Sequence, residues 1–391
     1  MKIIYFGDHV SKNLSNQKFK NPAGNKWQKN LLTSLLNYGD VSIYSYFRPA
    51  LYPKKKQIIV PNNLQINENE NESKLLWFIN IPVLRELCLF FSTIIQLIKI
   101  NKEYKNIKIL QYNIYSPVSL AIWILSYIYK YDYIPIILDI VLEESYKVNF
   151  FKKIYLKFEL KFQKILFRNL KKVIVINKFI IKDFFKDIDF LLIEGGVSKE
   201  DIKFTSSTKK INENENKKIV FTGALDKVNG IDFLVRTLGK MKHEKLELII
   251  FGLGELENFI IEEAKKDERI KYKGFKNNED ILTEQKKADF LIIPRKKTDL
   301  ILRYTFPSKL FEYMLSKTPI ICTNIPGLTK EYKDNLYIVD TEDEEEFSLE
   351  IKKILNKDKE ELKEIGEKAR EFIVKNKLWD LQAKKIIEFI K

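Results

Sequence analysis

Lys309 and Glu312 sit three residues apart in the segment Phe306-Pro-Ser-Lys-Leu-Phe-Glu-Tyr-Met-Leu-Ser-Lys-Thr-Pro-Ile-Ile-Cys-Thr323. That spacing places a cation and a carboxylate on one side of an expected helix. Leu310, Phe311, Met314 and Leu315 recur at helical spacing as its core face. Pro307, with a fixed φ and no donor, suits the first helical position. A lysine in a first turn opposes the helix dipole, so local stability does not account for Lys309. A bound anion would satisfy it together with the free amides of the turn. Glu312, one turn deeper, would accept hydrogen bonds from ribose hydroxyls. The chemistry suggested is recognition of a phosphorylated sugar nucleotide, although a solvated lysine and a surface glutamate fit the same two residues.

Other residues of this kind fall just after apolar runs. Gly223 follows Ile219–Thr222, and Gly252 and Gly254 follow Leu246–Phe251. Glycine there lets backbone amides approach a diphosphate with no side chain in the way, and it also serves ordinary turns. Arg295 follows the apolar end at Pro294, where a guanidinium would clamp a phosphate. Nearer the start, Asn21-Pro-Ala-Gly-Asn-Lys-Trp-Gln28 reads as a glycine turn before a helix, with Gly24, Asn25 and Lys26 exposed to an anion. Asp139 closes the run Ile134–Leu138, and Glu143 and Glu144 follow it. One of these acids would act as a base or hold a sugar hydroxyl, with helix capping as the alternative. Asp187 and Asp189 precede a strand instead of following one and read as a loop. His9 follows the first strand, and nothing else in the sequence gives it a catalytic role.

The elements that position these residues are clearest after residue 216. Strands at Ile219–Phe221, Leu246–Phe251, Ile270–Tyr272, Phe290–Ile293 and Ile320–Cys322 alternate with helices around Ile231–Met241, Leu256–Ala264, Glu279–Lys287 and 307–316. Such alternation predicts a parallel sheet covered on both faces, with ligands beyond the carboxyl ends of its strands. The front half fits the same plan, with strands at Ile3–Phe6, Val41–Tyr44, Ile107–Gln111, Ile134–Leu138 and Val173–Ile176. The expected division is a first domain over 1–204, a polar linker over 205–216, a second domain over 217–375, and a returning helix over 376–391 that packs back on the first.

Composition narrows the partners. The 391 residues carry a net charge of +15, very unevenly placed. Residues 1–200 hold 30 Lys and Arg against 17 acids, while residues 201–391 hold 38 against 36. A basic front half suits an anionic bilayer or a phosphorylated acceptor. In Phe151–Lys172, eight Lys and Arg oppose the lone acid Glu159 around an apolar face, which fits a helix lying on an anionic membrane or a core helix with a solvated basic side. The apolar stretch Leu75–Ile100 is broken by Pro82, Arg85 and Glu86 and is too short, uninterrupted, to span a bilayer. The two histidines exclude a histidine-rich metal site, and Cys88 and Cys322 make no disulfide framework. No charged leader opens the chain. No nucleic-acid motif accompanies the basic residues.

As a set these residues resemble retaining glycosyltransferases of the GT-B fold, family 4 in particular, of the bacterial surface-polysaccharide type. The similarity rests on Phe-Thr-Gly-Ala-Leu-Asp226 with Gly-Ile231, Gly-Leu-Gly-Glu255, Tyr-Lys-Gly-Phe275, Ile-Pro-Arg295, Phe-Pro-Ser-Lys309, Phe-Glu-Tyr313 and Ile-Pro-Gly327 through Glu331-Tyr332. Weaker similarity covers Pro-Ala-Gly-Asn-Lys-Trp-Gln28 and Ile-Glu-Gly-Gly196. The resemblance implies two Rossmann-like doubly wound domains facing a cleft, with the C-terminal helix crossing back to the first. It implies a UDP- or GDP-sugar donor on the second domain and an acceptor on the first. It also implies retention of configuration without an obligatory metal, most of the rate coming from stabilisation of the leaving diphosphate.

Three positions depart from the family pattern. Tyr304 stands where the first of two glutamates is common, and Ala224 and Asn229 stand where an arginine and a lysine are common. Arg295 and Lys309 are expected to take over the diphosphate, with Arg303 in reserve. Gly274, Phe275, Tyr304 and Ser308 complete the implied donor set, and Asp139 joins Arg295 and Lys309 as catalytic. The sequence thus reads as a cytoplasmic glycosyltransferase on the inner membrane face, moving a hexose or acetamido-hexose to a lipid-linked glycan in capsule or exopolysaccharide assembly. The alternative is an inactive homologue serving as a membrane-bound scaffold for another transferase.

Overall fold

The computed structural model describes residues 1–9, 22–54, 56, 58–60, 73–142, 150–205, 216–241, 245–296 and 300–391. Two compact units emerge: residues 1–194 with 379–391, and residues 195–378. Residues 206–215 of the expected linker over 205–216, and the candidates Glu143 and Glu144, lie outside the described residues.

The first unit runs β1 (Lys2–Gly7), α1 (Pro22–Leu35), β2 (Asp40–Ser45), β3 (Ile59–Val60), β4 (Ser73–Leu75), β5 (Phe78–Ile79), α2 (Leu84–Glu103), β6 (Ile107–Tyr112), α3 (Ser116–Tyr129), β7 (Asp132–Ile137), α4 (Phe150–Asn169), β8 (Lys172–Val175), α5 (Lys178–Phe184) and β9 (Asp189–Leu192). Its main sheet is parallel throughout, in the order β4-β2-β1-β6-β7-β8-β9. Strands such as Lys2–Gly7 are buried along their whole length, as a sheet covered on both faces requires. One face packs Ile4, Phe6, Tyr44 and Ile109 under α2, α3 and α4. The other packs Ile3, Tyr5, Ile43 and Ile134 under α1 and α14 (Trp379–Ile390). The last helix therefore returns to the first unit as expected: Trp379, Ala383, Ile386, Ile387 and Ile390 all enter that core.

The second unit continues with α6 (Lys199–Phe204), β10 (Lys217–Thr222), α7 (Ile231–Lys240), β11 (Leu246–Phe251), α8 (Glu257–Lys266), β12 (Ile270–Tyr272), α9 (Asn278–Lys287), β13 (Phe290–Ile293), a 3-10 turn at Leu300–Arg303, α10 (Lys309–Leu315), β14 (Ile320–Thr323), α11 (Lys330–Lys333), β15 (Tyr337–Val339), α12 (Glu344–Leu355) and α13 (Lys359–Asn376). Its sheet is also parallel, in the order β12-β11-β10-β13-β14-β15. The chain builds outward from β10 to β12 and then restarts beside β10 with β13. The order therefore reverses between β10 and β13, where doubly wound sheets place their ligands. In the first unit the equivalent reversal lies between β1 and β6.

The segment Leu75–Ile100 forms no span. It divides into the end of β4, then β5 and α2, and no described helix is long and apolar enough to cross a membrane.

Candidate active site

The reversal between β10 and β13 gathers most of the donor candidates at one sheet edge. Gly223 follows β10, Gly252 and Gly254 follow β11, Gly274 follows β12, and Arg295 follows β13. A Cβ on Gly252 would stand 1.8 Å from the Gly223 carbonyl oxygen, and its φ of +146° is foreign to other residues. One on Gly254 would stand 2.3 Å from the Leu225 carbonyl oxygen. These loops thus lie backbone on backbone. The amides of Gly223 and Gly252 are already donated to Phe251 O (3.1 Å) and Gly274 O (3.1 Å). The expectation that those two amides face a diphosphate is corrected: the glycines bring the loops together and leave the edge unobstructed.

Arg295 was expected at this edge, but its partner was not. Its Nε and Nη2 both donate to Asn229 Oδ1, at 3.2 and 2.8 Å. Asn229 in turn donates through Nδ2 and its backbone amide to Asp226 Oδ1, at 2.8 and 2.7 Å. The guanidinium therefore reaches the place in the 223–230 loop where the family pattern carries a lysine. Gly230 makes this approach feasible, since a Cβ there would be 1.9 Å from the Pro294 carbonyl oxygen. Burial pulls the Arg295 pKa down, with Cys322 and Asp226 opposing. Its ordinary value is so high that it remains a cation at neutral pH.

Helix α10 is fixed to the same edge from behind. Tyr313, fully buried, accepts the Thr222 amide at 2.8 Å, tying the helix to the last residue of β10. Leu310, Phe311, Met314 and Leu315 are buried as expected. Two local readings change. Pro307 precedes the helix instead of opening it: Ser308 is the cap, and Leu310 donates back to Pro307 O at 2.9 Å. Lys309 is not left without a partner, because its Nζ bonds Glu312 Oε2 at 2.8 Å. The pair is partly exposed, so it is worth a fraction of a kcal/mol and is easily exchanged for a better anion. Ser308 and Phe275 are exposed, whereas Tyr304 is buried beyond the 3-10 turn that ends at Arg303.

The first unit has its own cluster at the corresponding edge. Gln28 of α1 donates to Asp8 Oδ1 (2.7 Å) and accepts from Tyr5 (3.1 Å). Gly24, Asn25 and Lys26, expected in a loop, lie within the first turns of α1, which begins at Pro22. Asn25 Oδ1 accepts from His9 Nδ1 at 2.9 Å, and His9 is buried. Asp139 receives Asn113 Nδ2 at 2.9 Å, while Asn113 Oδ1 accepts the amides of Leu138 and Asp139. Although Asp139 is exposed overall, partial desolvation of its carboxyl at this crowded edge raises its pKa. The Asn113 bond opposes that rise and the charge of Asp8 adds to it. Asp187, with φ +48°, lies in the turn before β9, as a loop residue should.

The sequence reading missed Asn229, Asp226, Asn113 and Tyr313 as positioning residues. The contacts of Asn229 with Arg295, of Asn113 with the Leu138 and Asp139 amides, and of Tyr313 with Thr222 join segments distant in sequence; only Asn229 with Asp226 is local.

Comparison with known proteins agrees with this fold. The family described as "Glycosyl transferases group 1" matches residues 203–372. No curated protein sequence matches the chain. Among solved structures, the sucrose-phosphate synthase of Thermosynechococcus elongatus is similar with a TM-score of 0.72 at 15% identity, covering 99% of this chain and 98% of that one. A glycosyltransferase from Rickettsia africae ESF-5 gives 0.65 at 16% identity, over 100% and 97%. Anabaena HepE, solved in complex with UDP, gives 0.66 at 15%, over 99% of each. The fold is GT-B, and with a glycosyl transferases group 1 domain over residues 203–372 the chain is a glycosyltransferase.

Proposed function

We propose that this enzyme transfers a hexose or acetamido-hexose, with retention, from a UDP- or GDP-sugar to a lipid-linked or oligosaccharide acceptor in capsule or exopolysaccharide synthesis. The observation that carries the reading is Arg295 held on Asn229 at the β10–β13 reversal, with the exchangeable Lys309–Glu312 pair on the helix anchored to β10. In this reading Arg295 and Lys309 take the diphosphate, and Glu312, released from Lys309, accepts ribose hydroxyls. Arg303 and Ser308 lie on the same approach. Gly223, Gly252, Gly254 and Gly274 admit the donor, Phe275 offers a face for it, and Tyr304 replaces the family's first glutamate. The positive charge stabilises the leaving diphosphate as the sugar bond breaks, so the reaction needs no obligatory metal. Asp139, beside Asp8 in the first unit, orients the attacking hydroxyl, and Gly24, Asn25 and Lys26 contribute on the acceptor side. The UDP bound to HepE supports the choice of nucleotide.

The membrane part of the reading gains support from three neighbouring helices. Leu87, Phe91 and Ile95 of α2, Tyr127 and Ile128 of α3, and Ile154, Tyr155 and Phe158 of α4 are all exposed. With the lysines of α4 among them, this face suits an anionic bilayer, and the acceptor then arrives on a lipid carrier at the cytoplasmic surface.

The test is the double variant Arg295→Ala, Lys309→Ala. Turnover of a radiolabelled nucleotide sugar should fall at least about a hundredfold, since two charge-assisted contacts to the diphosphate are lost. The circular dichroism spectrum should be unchanged. Full activity of that variant rejects the site. A second reading follows from Arg295 and Lys309 both having protein partners: an inactive scaffold for another transferase. Absence of thermal stabilisation by UDP, GDP and their sugars would favour it.

A further inference from the structure

One cation at the acceptor edge is unexplained by anything above. Arg48 follows β2, and β2 pairs with β1 so that Gly7 lies beside Ser45. Its guanidinium carbon stands 4.0 Å from the centre of the Tyr115 ring and 5.9 Å from that of Tyr46, two rings that stack on each other. Every carboxylate near it is engaged elsewhere. Glu86 accepts from the Tyr115 hydroxyl and pairs with Arg85, and Asp8 accepts from Gln28. Arg48 itself makes no hydrogen bond or ion pair with any described residue. The guanidinium is half-buried and none of its nitrogens is among the buried unpartnered atoms, so its five donors stay open to an incoming anion. Burial opposes its charge, yet Tyr115, Tyr46, Asp8 and Glu86 together more than restore it.

A second, independent feature marks the same edge. His9 Nε2 is buried with no hydrogen-bond partner, although Nδ1 is satisfied by Asn25. The His9 carbonyl accepts Ser45 Oγ at 2.6 Å, which ties the His9 backbone to the end of β2, three residues before Arg48. An orphaned ring nitrogen and an unpaired guanidinium thus fall at adjoining strand ends, both with hydrogen-bonding capacity that no described residue uses.

We propose that Arg48 recognises a phosphate group carried by the acceptor, clamping it bidentately against the Tyr115 ring, with His9 Nε2 bonding a neighbouring hydroxyl. The proposal rests on the reading that the first unit takes the acceptor. Aromatic stacking fixes the plane of the guanidinium, so little order is lost when a phosphate arrives. Asp8 and Asp139, one and three strand ends away, repel a phosphate but suit sugar hydroxyls. The acceptor would therefore lie with its phosphate at Arg48 and its sugar toward the acids. A phosphate of this kind has two sources: the diphosphate of a polyprenyl carrier, or the ester of a soluble sugar phosphate.

The experiment titrates the full chain, with UDP present in saturating amounts, with farnesyl diphosphate in one arm and glucose 6-phosphate in the other. Binding is read by calorimetry. Wild type should bind one of the two, which identifies the source. Arg48→Gln should weaken that binding at least about tenfold, and Arg48→Lys by much less, as expected for loss of a charge-assisted pair. The thermal shift produced by UDP alone should be the same in all three proteins. That shift reports on the second unit, so failure of the donor reading shows as its absence and is separable from failure here. A further readout avoids any folding defect of the glutamine variant: the same phosphate compound should slow phenylglyoxal modification of Arg48 in wild type at least about fivefold, the protection expected where the ligand occupies the guanidinium. Wild type that binds neither compound, equal binding by Arg48→Gln, or unprotected Arg48 overturns the proposal.

Discussion

His9 carries a consequence for stability that the chemistry of the site does not require. Burial lowers its pKa below the usual 6.5, with the Asn25 bond opposing and Lys29 adding to the effect. The unfolded chain therefore takes up a proton near pH 6.5 that the folded chain refuses, so stability falls as pH drops through the ordinary histidine range. Below the depressed folded value the loss levels off. His9→Gln removes this dependence. The urea midpoint of wild type should drop between pH 7.5 and 5.5 more than that of His9→Gln, and equal drops would show that the ring is free to protonate. At this scale the sequence was informative about which residues are chemically able and nearly silent about their partners. Lys309 and Glu312 were legible as a pair because a helix turn is a local rule. Arg295 on Asn229 was not, because 66 residues and three strands separate them. Gly252 and Gly254 were recognised as special for the wrong reason: neighbouring backbone, not a ligand, occupies the space a side chain would need.

Among the elements, α2, α3 and α4 raise a question of solvent. Each gives part of its apolar surface to the core, as Leu89, Ile122 and Leu166 do, and leaves another part exposed. Tyr127, at 87% exposure, and Phe158, at 58%, are too open to belong to the fold's interior. If this face meets an anionic bilayer, the chain should co-sediment with phosphatidylglycerol vesicles and not with phosphatidylcholine ones. The triple variant Leu87→Ser, Phe91→Ser, Phe158→Ser should bind at least about thirtyfold more weakly, from lost burial of three side chains. Its UDP-induced thermal shift should be intact. Equal sedimentation of the variant would place the contact elsewhere. The apolar face of α4 was legible from its basic periodicity, but the contributions of α2 and α3 were not. Their exposed residues resemble core residues in sequence, and only packing tells them apart. The alternation from β10 to β14 was clear because each strand is short and mostly apolar. Between Thr323 and Trp379 no element was assigned, although Asp343 and Asp358 cap α12 and α13 with acidic first turns. There the apolar positions are sparse among Lys and Glu, and period alone gives little contrast.

In the whole molecule, the first unit is assembled from two stretches of chain. Trp379, Ile386, Ile387 and Ile390 of α14 are all buried against α1 and the sheet. At roughly 1.5–3 kcal/mol for each large apolar side chain, their removal costs about 6–12 kcal/mol. That is comparable with the whole stability of an ordinary domain, about 5–15 kcal/mol. A chain ending at Leu378 should therefore keep a protease-resistant fragment from the second unit and lose one from the first. Survival of both fragments would show that α14 is an accessory. The two-sheet plan was legible because both halves share one rhythm of strand and helix, whereas the sheet order came only from the structure.

During synthesis this arrangement sets a sequence of events. A ribosome makes all of residues 195–378 before it makes the helix that seals the earlier half. The middle of the polypeptide can reach its native form while the first two hundred residues still wait, their hydrophobic strands uncovered on one side. Chaperone demand for this enzyme should accordingly concentrate on residues 1–194 and end only when Trp379–Ile390 leave the exit tunnel.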